Sequence, residues 1–138
     1  MHIPFPDINN LPPEIREVMQ STPSNIGLMM ANAPASFKSW SEFAMSILFH
    51  STFDPRKREI AVLRVAHVTR SRYEWTHHVT LAKAYGLTDD EIEKIKTEDP
   101  VISLGEEGNL ICRVADEISN DVRLSDNALA LILDHYGV

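Results

Sequence analysis

Apolar residues recur at helical spacing along most of this chain. From Pro34 onward, Phe37, Trp40, Phe43, Ala44, Ile47 and Leu48 fall three and four apart, the stripe that an amphipathic helix buries. Other apolar runs repeat the same period, and none keeps the strict alternation of a half-buried strand. The pattern predicts an all-α bundle of about six to eight helices with no sheet.

Caps and breakers divide the pattern into elements. Residues 1–12 are proline-rich and read as an extended N-terminal arm. Pro13 opens a short helix through Ile15, Val18 and Met19, and Asn25 to Ala31 adds another apolar turn or two. Asp54-Pro55 is a helix start, an N-cap followed by proline at the first position. The helix it opens runs to about Thr69 and is apolar on most sides, as a central element should be. The next runs from about Arg72 to Tyr85, where Gly86 ends it. Thr88-Asp89-Asp90-Glu91 forms a capping box for a polar helix ending near Thr97. After a loop from Pro100 to Gly105, residues 106–120 turn Leu110, Ile111, Val114, Ala115 and Ile118 inward. Ser125 caps a last helix carrying Leu129, Ile132 and Leu133. With no repeat or boundary signal, residues 1–138 read as a single domain.

Composition narrows the function classes. A net charge of −7 disfavours nucleic acid and anionic membrane partners, since no overall positive field attracts phosphate. Six of the 13 basic residues (Arg56, Lys57, Arg58, Arg64, Arg70 and Arg72) nevertheless fall between positions 56 and 72. They read either as a solvated helix face or as an anchor for a small carboxylate substrate. Cys112 is the only cysteine, which excludes an internal disulfide and fits a reducing cytoplasm. Its neighbours Leu110, Ile111, Val114 and Ala115 make it core packing rather than a nucleophile. No apolar run approaches the ~20 residues that span a bilayer. Met1-His2-Ile3-Pro4 lacks the regions of a signal peptide, so a cytoplasmic location is expected. The apolar final helix, with Met29, Met30, Phe49 and Phe53, exceeds what 138 residues should hide, and a homo-oligomer is expected.

Candidate chemistry concentrates between Arg58 and His78. Glu74 and His78 stand four apart and share one helix stripe with Ser71, Leu81 and Tyr85, while Trp75, Val79 and Ala82 form a core stripe. Glu59 lies among Val62, Leu63 and Ala66, where a carboxylate is costly without compensation. If the two helices pack antiparallel, Glu59, Glu74 and His78 line one pocket. Burial raises a carboxyl pKa toward neutrality, where acid–base catalysis works best. The plain alternative is a surface ion pair one helical turn apart, worth a few tenths of a kcal/mol. Glu-x-x-x-His also supplies two metal ligands, but no third is spaced to join them, so no metal is expected. His77 points elsewhere on the helix, and His50 and His67 have no obvious partners.

The segment R-E-I-A-V-L-R-V-A, then S-R-Y-E-W-T-H-H, then G-L-T-D-D-E-I resembles the signature of the carboxymuconolactone decarboxylase family, whose relatives include the AhpD-like alkylhydroperoxidases. The resemblance extends over residues ~11–136. It implies an AhpD-like bundle, a homotrimer or homohexamer, and an active site near a subunit interface. In the hydroperoxidase branch a glutamate precedes C-x-x-C, and a histidine follows the second cysteine by four. Glu59 and His78 match that glutamate and histidine, whereas Ser71 and Glu74 stand where the cysteines would be. Thiol peroxidase chemistry needs a thiolate, so this branch does not fit. The decarboxylase branch, with a glutamate and a histidine in this helix, is closer to Glu74 and His78. Relatives continue past Tyr136-Gly137 with another long apolar helix, which bears on the pocket wall and the trimer contact.

The reading that follows is a decarboxylase-like lyase or related proton-transfer enzyme of aromatic catabolism, acting without a cofactor on a small carboxylated lactone or enol-type acid. His78 would donate the proton, Glu74 would orient it, and Glu59 would serve as a second acid/base or substrate contact. Arg58, Arg72, Ser71 and Tyr85 would bind substrate. The alternatives are a non-catalytic ligand-binding or oligomeric scaffold of the same fold, and a peroxidase-related oxidoreductase.

Overall fold

A computed structural model describes residues 3–137, so Val138 and the first two residues of the Met1-His2-Ile3-Pro4 terminus lie outside the described residues. Among the described residues all regular structure is helical, with eight α-helices and no strand. None of these helices is long and apolar enough to cross a membrane. The chain falls into two compact units that divide after Thr52.

The first unit holds α1 (Pro13–Ser21), α2 (Asn25–Met30) and α3 (Pro34–Met45), the last continuing into a π-helical turn at Ser46–His50. Prolines open α1 and α3, where the missing N–H has no intrahelical partner to lose. Leu11, Ile15, Met19, Ala31 and Phe37 form the core, with Trp40 packed against it. The arm therefore ends inside this core, at Leu11. Gly27 lets α2 approach α1 closely, since a Cβ there would come within 2.6 Å of the Met19 methyl and that side chain would have to move.

The inward stripe expected on α3 is only half realised. Phe37 is buried, but Phe43 is 65% exposed and Ile47 also faces out. The cause is length. α1 and α2 have 9 and 6 residues and reach about 14 and 9 Å at the helical rise, while the 12 residues of α3 alone reach about 18 Å. Within this unit the second half of α3 has no helix of matching length to pack on.

In the second unit α4 (Pro55–Val68) is central. α5 (Arg72–Ala84), α6 (Asp89–Thr97) and α7 (Gly105–Asp121) pack around it, and α8 (Asp126–Tyr136) packs on α7. The Asp54 carboxylate accepts the N–H groups of Arg56 and Lys57, which starts α4. Both halves of the Thr88–Glu91 capping box form on α6. Gly86, at φ 89°, ends α5. Leu63, Ile95 and Cys112 lie fully buried at the centre. Ile118, expected to face inward, is exposed; on the apolar last helix Leu129 and Leu133 are exposed too, and Ala128 is the residue of α8 that is buried. Part of the α7–α8 crossing is polar, through Arg113 with Glu117, Asn127 and Ser125.

The basic cluster is mostly neither a solvated face nor a free anchor. Arg56 pairs with Glu91, Lys57 with Glu107 and Arg58 with Glu59. Arg64 is buried, gripping both oxygens of Asp116 and donating to the carbonyls of Ile95 and Glu98. These contacts tie α4 to α6 and α7. Arg70 and Val122 adopt left-handed backbone, with φ of 57° and 54°, at positions that glycine usually takes after a helix.

Candidate active site

A tight turn joins α4 to α5, with the Ser71 N–H donating to the Ala66 carbonyl. The turn folds α5 back along α4 as a helical hairpin. Residues 19 positions apart thereby meet, with His78 Nδ1 lying 2.7 Å from Glu59 Oε2. On its other side, His78 Nε2 is 3.4 Å from Glu74 Oε2, an ion-pair distance one helical turn away. The structure thus brings Glu59, Glu74 and His78 together, with the shorter contact going to Glu59.

Burial is graded across the three. The side chain of Glu59 is wholly buried, that of His78 is 14% exposed and that of Glu74 is 39% exposed. The site opens to water on the Glu74 side.

Glu59 does not behave as burial alone would dictate. Desolvation is the largest single influence and pushes its pKa up. The hydrogen bond and charge of His78, with those of Arg58, together outweigh it and hold the carboxyl below its ordinary 4.5. Arg58 Nε and Nη2 both donate to Glu59 Oε1, at 3.1 and 3.0 Å. The expected upward shift is therefore reversed, first by His78 and then by an arginine next in sequence. Glu59 is a carboxylate at neutral pH, with one oxygen on Arg58 and the other on His78.

An ionised carboxylate only accepts hydrogen bonds. Nδ1 of His78 must therefore carry its hydrogen toward Glu59, which leaves Nε2 as the nitrogen that gains and loses a proton. That arrangement, a buried anion fixing the tautomer of an imidazole through its far nitrogen, recurs wherever a histidine must present one defined nitrogen.

The other sequence candidates have separate places. Tyr85 lies beside Arg58, whose guanidinium carbon is 5.3 Å from the ring centroid. Ser71 caps α5, accepting the Glu74 N–H at 3.4 Å. Arg72 is exposed and, with Ser71, lines a different cavity that also contains His67 and Trp75. His67 has a partner after all, since its ring stands edge-on to Trp75 at 6.2 Å. His77 instead packs its ring against Tyr73, tilted by 56° with centroids 4.4 Å apart. Cys112 is fully buried, and desolvation pushes its thiol up to about 12. Among the described residues no group of three or more His, Cys, Asp or Glu side chains is arranged to hold a metal ion.

Sequence reasoning missed the part played by Arg58. Neighbours in sequence do not ordinarily face each other on a helix, so an arginine beside the glutamate gave no sign of clamping it.

A model of the carboxymuconolactone decarboxylase family matches residues 34–104, just over half of the chain, and the match includes all of α4, α5 and α6. No curated protein and no solved structure matches the chain.

Proposed function

Because the chain belongs to the carboxymuconolactone decarboxylase family, we propose that it is a decarboxylase-like lyase, or a related proton-transfer enzyme, acting on a small carboxylated lactone or enol-type acid. The observation that supports this is the two-sided setting of His78, with Nδ1 on the buried Glu59 and Nε2 beside the half-exposed Glu74.

Decarboxylation breaks the bond between a substrate carbon and its carboxylate. CO2 leaves, and the electron pair stays on the substrate, spread onto an adjacent carbonyl oxygen as an enolate. That carbon then takes a proton. Imidazolium His78 supplies it from Nε2 and becomes neutral, while its Nδ1–H stays on Glu59. Glu59 is thus the orienting group, holding the ring through Nδ1. Glu74, on the open side, passes the replacement proton from water to Nε2. Arg58 acts on the reaction by helping His78 keep Glu59 ionised.

The test is turnover on a panel of carboxylated lactones and enol acids in D2O, reading CO2 release and deuterium in the product. Loss of a general acid–base typically costs ~100- to 10,000-fold in rate. His78→Ala should lose that much in kcat with the fold intact, and Glu74→Gln should lose less. Equal turnover by His78→Ala would reject the proposal.

One observation favours a non-catalytic scaffold instead. Both Glu59 oxygens are satisfied by Arg58 and His78 without any ligand, as a purely structural network requires. In that case His78→Ala would lower stability and no panel compound would turn over. The peroxidase alternative lacks a thiolate, since the Cys112 thiol is buried and protonated at neutral pH.

We also propose a homotrimer or homohexamer in a cytoplasmic setting. Leu129, Leu131 and Leu133 are exposed along α8, which supports an assembly that covers them. A monomer mass in light scattering at micromolar concentration would refute it.

A further inference from the structure

The second unit contains 11 lysines and arginines. Seven of them are in ion pairs with acids of the same unit, among them the buried Arg58 and Arg64. Arg70, Arg72, Lys96 and Arg123 are in no ion pair among the described residues. Three of those four (Arg70, Arg72 and Lys96) line one cavity of about 310 Å3. Such a gathering is unexpected in a chain of net charge −7, where acids outnumber bases and pair with nearly every other cation of the unit.

The rest of the lining agrees with a ligand of definite chemistry. No aspartate or glutamate lines this cavity, so nothing on its wall neutralises the three cations. Trp75 and His67 stand edge-to-face at 6.2 Å and supply aromatic walls. Ser71 and Thr76 bring hydroxyls, although the Thr76 hydroxyl already donates to the Arg72 carbonyl. The volume lies at the small end of ligand pockets.

We propose that this cavity, at the α4–α5 turn beside the end of α6, binds a small dianionic oxyanion carried on a flat ring, with Arg70, Arg72 and Lys96 holding the charge and Trp75 and His67 flanking the ring. Arginine and lysine make charge-assisted hydrogen bonds to such groups. The ring lies against the wall that Trp75 and His67 form together while its oxyanion reaches the cations. Glu59, Glu74 and His78 are not part of this lining. The site therefore does not rest on the acid–base reading, and either can stand without the other.

The experiment is isothermal titration of the intact chain with phenyl phosphate, benzene-1,2-dicarboxylate, inorganic phosphate and acetate. A parallel fluorescence titration uses Trp40→Phe, which leaves Trp75 as the only tryptophan. At least one aryl dianion should bind and quench Trp75. Which one binds distinguishes a phosphate-bearing ligand from a dicarboxylate. Inorganic phosphate should bind more weakly and acetate not measurably. Raising salt should weaken binding, as screening demands. Arg70→Gln with Lys96→Gln removes two exposed cations and should weaken the aryl dianion by roughly tenfold or more, while His78→Ala leaves its affinity unchanged. Failure of both aryl dianions at millimolar concentration, or an affinity indifferent to the double substitution, would overturn the site. Phosphate binding as tightly as phenyl phosphate would overturn the role of the ring.

Discussion

The two units of the chain are held together by different means. Among the described residues, the N-terminal unit has an apolar core of Leu11, Ile15, Met19, Ala31 and Phe37 and buries no charged side chain. The C-terminal unit has a larger apolar core and also buries Arg58, Glu59 and Arg64, all on α4. Apolar packing tolerates swaps that conserve volume. A buried charge tolerates nothing that removes its partner. Because buried ion pairs are poor providers of stability compared with apolar groups of the same shape, three buried charges on one helix ask for a reason other than stability.

Arg64 and Glu59 answer differently. Arg64 is saturated by both Asp116 oxygens and two carbonyls, and its work is to join α4 to α6 and α7. Glu59 is also saturated, but one of its partners is an imidazole whose second nitrogen is turned toward the half-exposed Glu74. One network closes on itself, and the other ends on a group able to exchange protons.

The contrast between the units can be broken most forcibly at Arg64 and Phe37. Arg64→Ala leaves the Asp116 charge and two carbonyls without their donor and should cost about 3–5 kcal/mol, read by urea denaturation. Phe37→Ala should cost a similar amount, about 3–5 kcal/mol, through lost packing. Rescue separates them. Replacing Arg64 and Asp116 together by Met and Leu should restore much of the loss, because no charge is then orphaned, whereas no charge change should rescue Phe37→Ala.

Dependence on pH sharpens the contrast at the next level. Glu59 is held below its ordinary value of 4.5 when folded, so its contribution is present above that pH and is lost as pH falls through the lower, folded value. Glu59→Gln should therefore cost about 1–3 kcal/mol at pH 7, and the gap from the native chain should close in acid. The cost of Phe37→Ala should not change over the same range. A Glu59→Gln penalty that stays the same as pH falls from neutral into acid would mean that packing, not charge, sets it.

A smaller effect concerns Val122, a nearly fully exposed β-branched residue held in left-handed backbone. Val122→Gly relieves that strain while adding freedom to the unfolded chain, for a net gain of about 0.5–1 kcal/mol. Thermal denaturation should show a modest rise in Tm, and a fall would mean that the strain is already compensated.

Much of the helix pattern could be read from caps. Asp54-Pro55, the Thr88–Glu91 box, Gly86 and Ser125 each mark an end where the structure has one. Local hydrogen bonds create these ends, and local sequence records them. Burial was less legible where it depends on what lies opposite. Phe43 and Ile47 have the right period but outrun the helices beside them, and Ile118 is exposed despite its place on the inward stripe of α7. Within the candidate site, the four-residue spacing of Glu74 and His78 gave their contact directly. The contact with Glu59 needed the hairpin to be guessed, and the Arg58 clamp depends on side-chain reach that spacing does not encode. Arg64 was hidden for the same reason, since its partner Asp116 is 52 residues away.

The central claim is that Glu59, kept ionised by its contacts with His78 and Arg58, fixes His78 with its hydrogen on Nδ1 and leaves Nε2 as the nitrogen that faces Glu74. Nitrogen-15 NMR of the imidazoles at alkaline pH, with His78 assigned through His78→Gln, reads that tautomer directly. The account predicts Nδ1 as the protonated nitrogen of neutral His78, with a strongly downfield proton from its short bond to Glu59. A neutral His78 carrying its hydrogen on Nε2 would contradict the account, because Glu59 would then have to be protonated to share its hydrogen bond with Nδ1.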